Sequence, residues 1–180
     1  PLDDEALACR VVTGEEDAYE VWMGQIYPKA LRLCYLILND ANECEDVLQE
    51  AFLICYQKRR TLRNADGLNA YFYRTMTHLA WKNAKKRRRE TPVEETPERI
   101  EGSPGPEESA LRQAMKAALF AQVQQLPVKQ RTVVIYYYYE QRSIREIAHL
   151  TGTLEATVKS RLFFARKKLR ETFKSWEEAE

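Results

Sequence analysis

At 180 residues the chain suits one compact domain or two small ones, and 44% hydrophobic with 31% charged residues makes it soluble and able to build a core. Lysine and arginine number 28 and aspartate and glutamate 27, so the net charge of +1 excludes a uniformly basic coat but not local segregation. Six glycines and seven prolines exclude a fibrous or low-complexity chain, and the longest apolar run, Val133 to Tyr139, is too short to span a bilayer. The opening Pro1-Leu2-Asp3-Asp4-Glu5 lacks the basic and apolar regions of a signal peptide, and its first residue, not a methionine, points to a trimmed start. A reducing, cytoplasmic setting is expected, with no membrane insertion.

Both halves of the chain read helical. Pro28 suits the first position of a helix over Lys29 to Leu38. Asn39 or Asp40 can cap a second helix from about Ala41 to Gln57. Its inner side holds Cys44, Leu48, Phe52 and Cys55; its other side shows Asn42, Glu43, Asp46, Gln49, Glu50, Leu53 and Gln57. That acidic-polar side would repel DNA, and an exposed Leu53 within it suggests a protein contact, although a solvated face is the commoner outcome for such a pattern.

After the polar loop from Thr61 to Gly67, Leu68 to Arg89 carries helical periodicity for about six turns. Leu68, Phe72, Thr75, Met76 and Leu79 fall inside, and Arg74, Thr77, His78, Trp81 and Lys85 form an outer stripe. Residues 66–89 hold seven basic residues against one acidic. An exposed tryptophan among cations suits a single strand, because cations hold phosphates while rings stack on bases. For Trp81 a core position is an equal alternative. Residues 90–109 reverse the charge, with seven acidic residues against one basic and four prolines, so 91–108 reads as an acidic, Pro-rich linker between two domains. Each core would be small, and neighbours would have to help stabilise it.

Beyond the linker, Ser109 to Gln125 reads as a helix ending before Pro127. Val133 to Tyr139 has strand propensity but no partner strand, so it reads as helix, its four tyrosines partly buried with hydroxyls reaching solvent. Ile144, Ile147, Ala148 and Leu150 form the inner face of a short helix opened by the capping-box pair Ser143 and Glu146. Gly152 supplies a turn, and a second helix puts Leu154, Val158, Leu162, Ala165 and Leu169 on one face. Ala156, Ser160, Phe163, Phe164 and Lys167, flanked by Lys159 and Arg161, lie on the other. Two apolar stripes around a turn glycine make a helix-turn-helix whose basic and short polar residues can reach phosphates and base edges in a major groove.

The four cysteines, Cys9, Cys34, Cys44 and Cys55, form no Cys-x-x-Cys pair and read as buried reduced thiols. The two histidines, His78 and His149, are far apart in sequence, and no nucleophile elbow, phosphate-cradling glycine loop or zinc motif occurs. No enzyme, metal or cofactor is expected.

Three segments resemble bacterial sigma factors of the extracytoplasmic-function group in the sigma-70 family. Cys44-Glu45-Asp46-Val47-Leu48-Gln49-Glu50-Ala51-Phe52 and Ala70-Tyr71-Phe72-Tyr73-Arg74 with His78 are similar to region two. Glu146-Ile147-Ala148, Thr157-Val158-Lys159-Ser160-Arg161-Leu162 and Ala165-Arg166-Lys167-Lys168-Leu169 are similar to region four. Tyr71 stands where tryptophan is usual, His78 where asparagine is, Ala156 where glycine is and Phe164 where a basic residue is. The resemblance implies an all-α protein of two small helical domains, region two over 1–90 and region four over 109–176. It implies docking on the β′ clamp helices of core RNA polymerase through Asp46, Gln49 and Glu50, with Leu53 added from its position. It implies capture of a flipped base of the melted minus-ten strand near Arg63, Asn64 and Asn69, and contacts to the duplex edge from Arg74, His78, Trp81 and Lys82, with Lys85 on the same helix. Region four would read the minus-thirty-five promoter element through Thr157, Lys159, Ser160, Arg161, Phe163 and Lys167, hold phosphates with Arg142 and Ser143, and rest on the β flap. An anti-sigma factor is the further partner implied. A helix-turn-helix regulator acting alone, and more remotely a site-specific recombinase, are the rival readings; the latter would need a nucleophilic Ser or Tyr among clustered arginines.

Overall fold

A computed structural model describes residues 4–62, 65–90 and 110–177, and all secondary structure among them is helical. The elements are α1 (Asp4–Thr13), α2 (Glu16–Leu38), α3 (Ala41–Lys58), a 3₁₀ turn (Arg59–Thr61), α4 (Ala65–Glu90), α5 (Ala110–Gln124), α6 (Val128–Val134) running into a π-helical segment (Ile135–Tyr139), α7 (Ile144–Thr151) and α8 (Glu155–Glu177). The linker 91–108 lies outside the described residues.

The joint between α2 and α3 uses two adjacent residues for opposite jobs. Asn39 takes the left-handed conformation (φ 55°) and its N–H closes α2 on the Tyr35 carbonyl. Asp40 is extended, and its carboxylate accepts the Glu43 N–H at 2.9 Å to open α3. Pro28 is not a helix start, as its position suggested; it lies within α2, which begins at Glu16. The missing N–H falls opposite the carbonyl of Gly24, an exposed residue whose carbonyl can turn to water. Inside the first four helices Trp22 meets Phe52 and Phe72 edge-on, at 5.9 and 5.7 Å between ring centres, while Phe52 and Phe72 stack at 4.5 Å. These pairs lock α2, α3 and α4 by aromatic geometry as well as by area. Cys34, Cys44 and Cys55 are buried thiols as expected, but Cys9 is exposed because it sits on the outer side of α1.

In the second half α7 opens with the complete capping box of Ser143 and Glu146 and closes on Gly152 at φ 62°. Ile147, Ala148, Leu150, Val158, Leu162 and Ala165 are buried between α7 and α8. Leu154 departs from the expected inner face: it is 76% exposed, because it precedes the first turn of α8 and its carbonyl accepts the Thr157 and Val158 N–H groups.

The two halves share one continuous core. The expected row of solvent-reaching tyrosines is broken at its first member: Tyr136 is buried, and its hydroxyl meets Thr77 Oγ1 of α4 at 2.7 Å. Thr77, expected on the outer stripe, is fully buried for the same reason. Arg131 of α6 is 9% exposed and donates to the Ile37 carbonyl at 2.7 Å, and to the Gln124 and Leu126 carbonyls at 2.6 and 3.1 Å. Gln124 donates to the Leu36 carbonyl at 2.8 Å. The last turn of α2 contains no basic residue of its own; Arg87 of α4 donates to its Leu38 carbonyl at 3.3 Å, and the second half supplies Arg131 and Gln124 to the Ile37 and Leu36 carbonyls. Replacing Arg131 by Met strands buried carbonyls, each costing about 1–3 kcal/mol; Arg131→Met is expected to lower unfolding stability by about 3 kcal/mol or more in urea titration.

Candidate nucleic-acid and polymerase interfaces

The acidic side of α3 is presented as its sequence pattern requires. Asp46, Gln49 and Glu50 are exposed, and Leu53 beside them is 57% exposed. Glu43, placed on that side by periodicity, turns back instead: it is half-buried, 3.5 Å from Arg87 of α4. The exposed face therefore combines carboxylates, an amide and one unpartnered apolar side chain, a composition suited to a protein and hostile to phosphate.

The helix α4 carries the basic and aromatic residues. Lys82 and Lys85 are exposed. Arg63 and Asn64 lie outside the described residues. Asn69 is half-buried, and its Oδ1 accepts the indole N–H of Trp22 at 3.0 Å. That bond orients the amide and leaves its NH₂ as the available donor. Of the rest of the outer stripe, Arg74 and His78 are exposed, while Thr77 is buried and Trp81 half-buried against the second half. Trp81 is half-buried, and its indole N–H donates to Thr132 Oγ1 at 2.9 Å. Two cations flank its ring, Lys129 Nζ at 5.2 Å and the Arg161 guanidinium at 5.5 Å from the centroid. His78 stacks on Trp81 at 5.5 Å, and its Nε2 lies 3.2 Å from the Thr151 carbonyl. A Cβ at position 152 would lie 3.2 Å from Arg74 Nη2 and 3.3 Å from His78 Cε1. Gly152 thus serves the turn and the close approach of α4 together.

On α8, Lys159, Ser160, Phe163 and Lys167 point outward, with Phe163 62% and Phe164 53% exposed. Thr157 is half-buried. Arg161 is the exception on this face. It is half-buried against Trp81, and its Nη1 has no hydrogen-bond partner among the described residues. Loss of water lowers its guanidinium from the usual range. Arg142 is paired with Glu146 at 2.9 Å, and Ser143 is committed to the cap. Sequence reading missed Thr132, Lys129 and Tyr136 as partners of the α4 stripe, and Arg131 as the tie to the end of α2. The available signal was a cation and a hydroxyl set within the apolar stretch from Val128 to Tyr139.

A module with an exposed acidic face and a basic-aromatic helix, joined to a helix-turn-helix module, defines a two-part DNA-reading transcription factor. Residues 22–90 match the family pattern described as Sigma-70 region 2, and residues 108–169 match Sigma-70, region 4. The chain is 30% identical over 174 residues to RNA polymerase sigma-H factor of Pseudomonas aeruginosa, covering 91% of this chain and 90% of that protein. It is 32% identical over 161 residues to RNA polymerase sigma-E factor of Streptomyces coelicolor, covering 88% and 87%. It is 26% identical over 171 residues to the ECF RNA polymerase sigma factor SigW of Bacillus subtilis, covering 89% and 91%. Among solved structures it is similar to CnrH in complex with the cytosolic domain of CnrY (TM-score 0.68, 16% identity, 96% and 99% coverage). It is also similar to the sigma factor RpoE in complex with the anti-sigma factor NepR from Bartonella quintana (0.67, 18%, 87% and 96%). The chain belongs to the sigma-70 family, in its extracytoplasmic-function group. It is a sigma factor: it binds core RNA polymerase and promoter DNA and directs transcription initiation.

The capping box positions the helix-turn-helix. Glu146 accepts from the Ser143 hydroxyl and N–H and from Arg142, and these bonds hold its carboxyl down at about 2. The folded form therefore gains stability from ionised Glu146 at pH values above about 4.5, and loses it as the pH falls towards about 2. The side chain is half-exposed, so solvent screening weakens the effect. Glu146→Gln is expected to lower the melting temperature at pH 7, with the gap closing across that acid range. Ser143→Ala is expected to cost about 1 kcal/mol in denaturant unfolding.

Proposed function

We propose that the residues described above divide the work of initiation as follows. Residues 1–90 form the polymerase-docking and minus-ten module, 91–108 the tether and 109–176 the minus-thirty-five module. Asp46, Gln49, Glu50 and Leu53 bind the β′ clamp helices; the observation that carries this reading is that all four are exposed together on α3. Arg63, Asn64 and Asn69 hold the flipped base, and Arg74, His78, Trp81, Lys82 and Lys85 hold the edge of the melted region. Stacking on an indole contributes about 1–3 kcal/mol per base, comparable to the cost of extruding one. Lys159, Ser160, Arg161, Phe163 and Lys167 read or hold the upstream duplex, supported by Thr157, Arg142 and Ser143. The second module also rests on the β flap.

The family is one of initiation factors; we propose that the chain has no catalytic activity of its own and works in the cytoplasm. Among the described residues no helix is long and apolar enough to cross a membrane, and no cluster of histidine, cysteine and carboxylate side chains could hold a metal. We further propose an anti-sigma protein as a partner, possession of one being a property of the RpoE that this fold matches.

The test is association with purified bacterial core RNA polymerase, followed by run-off transcription. The double charge reversal Asp46→Lys and Glu50→Lys is expected to abolish co-elution with core enzyme while leaving binding to a mixed-sequence duplex intact; unchanged co-elution overturns the docking assignment. Lys159→Ala is expected to weaken binding to that duplex and to flatten the slope of log affinity against log salt by about 1.

A further inference from the structure

We infer that Phe164, paired with Phe163, makes this chain select a thymine by its methyl group in the upstream promoter element. The inference rests on the assignment of α8 to the upstream duplex made above. Both rings are more than half exposed, and they meet edge-on at 5.5 Å between centres. The register of α8 forces them outward, because Val158, Leu162 and Ala165 fill its buried side. With about 3.6 residues per turn, Ala156, Ser160, Phe163, Phe164 and Lys167 fall on one stripe, and all five are exposed. Lys159, also exposed, stands one turn before Phe163, and Lys167 one turn after it. The stripe is thus an apolar patch bracketed by cations, with a hydroxyl beside it.

Lysines on both sides suit phosphates, and they are depleted from the centres of protein–protein interfaces. They therefore favour a duplex as the occupant, and the rings between them then meet base edges. In the major groove guanine shows two acceptors, cytosine and adenine each show an amino donor, and thymine alone shows a methyl group. A phenyl ring offers no donor to guanine N7 and O6 and no oxygen or nitrogen acceptor to an amino group. Laid against those edges it would exclude their water and leave them unpaired. Against thymine it covers a methyl group, and apolar area leaves water on both sides. The ring therefore fixes the sign of the preference: thymine is favoured and guanine disfavoured. A basic side chain, usual at this position in the family, carries donors and would favour guanine instead. The edge-on contact with Phe163 narrows the orientations open to Phe164, so less freedom is lost on binding. Ser160, one turn before Phe164, keeps a hydroxyl for a neighbouring base edge.

The experiment uses holoenzyme assembled from the full chain and purified core polymerase. It selects from a library of duplexes randomised over both promoter elements, and the enriched upstream element is sequenced. The parent is expected to enrich a thymine that Phe164→Arg replaces by guanine. On the enriched duplex, exchanging that thymine for deoxyuridine removes the methyl group and nothing else. Parent holoenzyme is expected to bind the deoxyuridine duplex about fourfold more weakly, the loss that corresponds to one buried methyl group. Phe164→Ala is expected to bind both duplexes equally, which assigns the loss to that side chain. Phe164 is exposed, so neither variant disturbs the fold, and an unchanged melting temperature checks this. An enriched upstream element without thymine, no loss in the parent when each of its thymines is exchanged in turn, or the same loss in Phe164→Ala overturns the inference. Weaker binding of Phe164→Ala to core polymerase with unchanged selection also overturns it, because the rings then face a protein. Failure of the parent to enrich any upstream sequence while it still binds core polymerase overturns instead the duplex-reading role of α8 on which the inference rests.

Discussion

Arg131 carries a charged side chain into a place where burial would ordinarily forbid it. Its terminal nitrogens reach carbonyls at the end of α2 and at the end of α5, so one guanidinium ties together two segments that are distant in sequence. A buried arginine is tolerable only when such acceptors are present, and the end of an α-helix offers several carbonyls that lack internal donors. Around this tie the two halves merge their apolar surfaces into one core. Two modules of this size would each be poor in buried area, and sharing a wall offsets that shortage.

The same contact decides what the surface can do. Packing of α6 and α7 onto α4 converts a stripe that is polar and aromatic in sequence into an interface of hydroxyls, an indole, an imidazole and cations. Such an interface contains hydrogen bonds and stacked cations that water and phosphate can replace, unlike the aromatic wedge of Trp22, Phe52 and Phe72 on the other side of the helix. One face of α4 is therefore packed by aromatic rings and the other by polar and cation–ring contacts. Gly152 sits where these demands meet, since a side chain there would strain the turn and crowd Arg74 and His78 at once.

The acidic side of α3 lies apart from these contacts. Its exposed carboxylates and Leu53 are held on a helix capped by Asp40 and braced by the pair of Glu43 with Arg87.

Much of this was legible in the sequence because it depends on local order. The positions of α3, α4, α7 and α8 follow from apolar spacing, the caps at Asp40 and Ser143 from side chains that can reach nearby N–H groups, and the turn at Gly152 from a φ that side chains resist. The exposed set Asp46, Gln49, Glu50 and Leu53 follows from the same helical period. Periodicity describes one helix against one neighbour, so it could not show that the outward side of α4 has a second neighbour. Thr77, Tyr136, Trp81 and Arg161 were therefore misjudged or left open until the halves were seen together. The start of α2 well before Pro28 was hidden too, because an interior proline is tolerated when the carbonyl it leaves free faces water. Sequence alone determined the helices, their caps and the kind of chemistry each exposes; the tertiary structure alone decided which exposed chemistry meets solvent, because contacts between residues 50 or more positions apart leave no periodic trace in either partner.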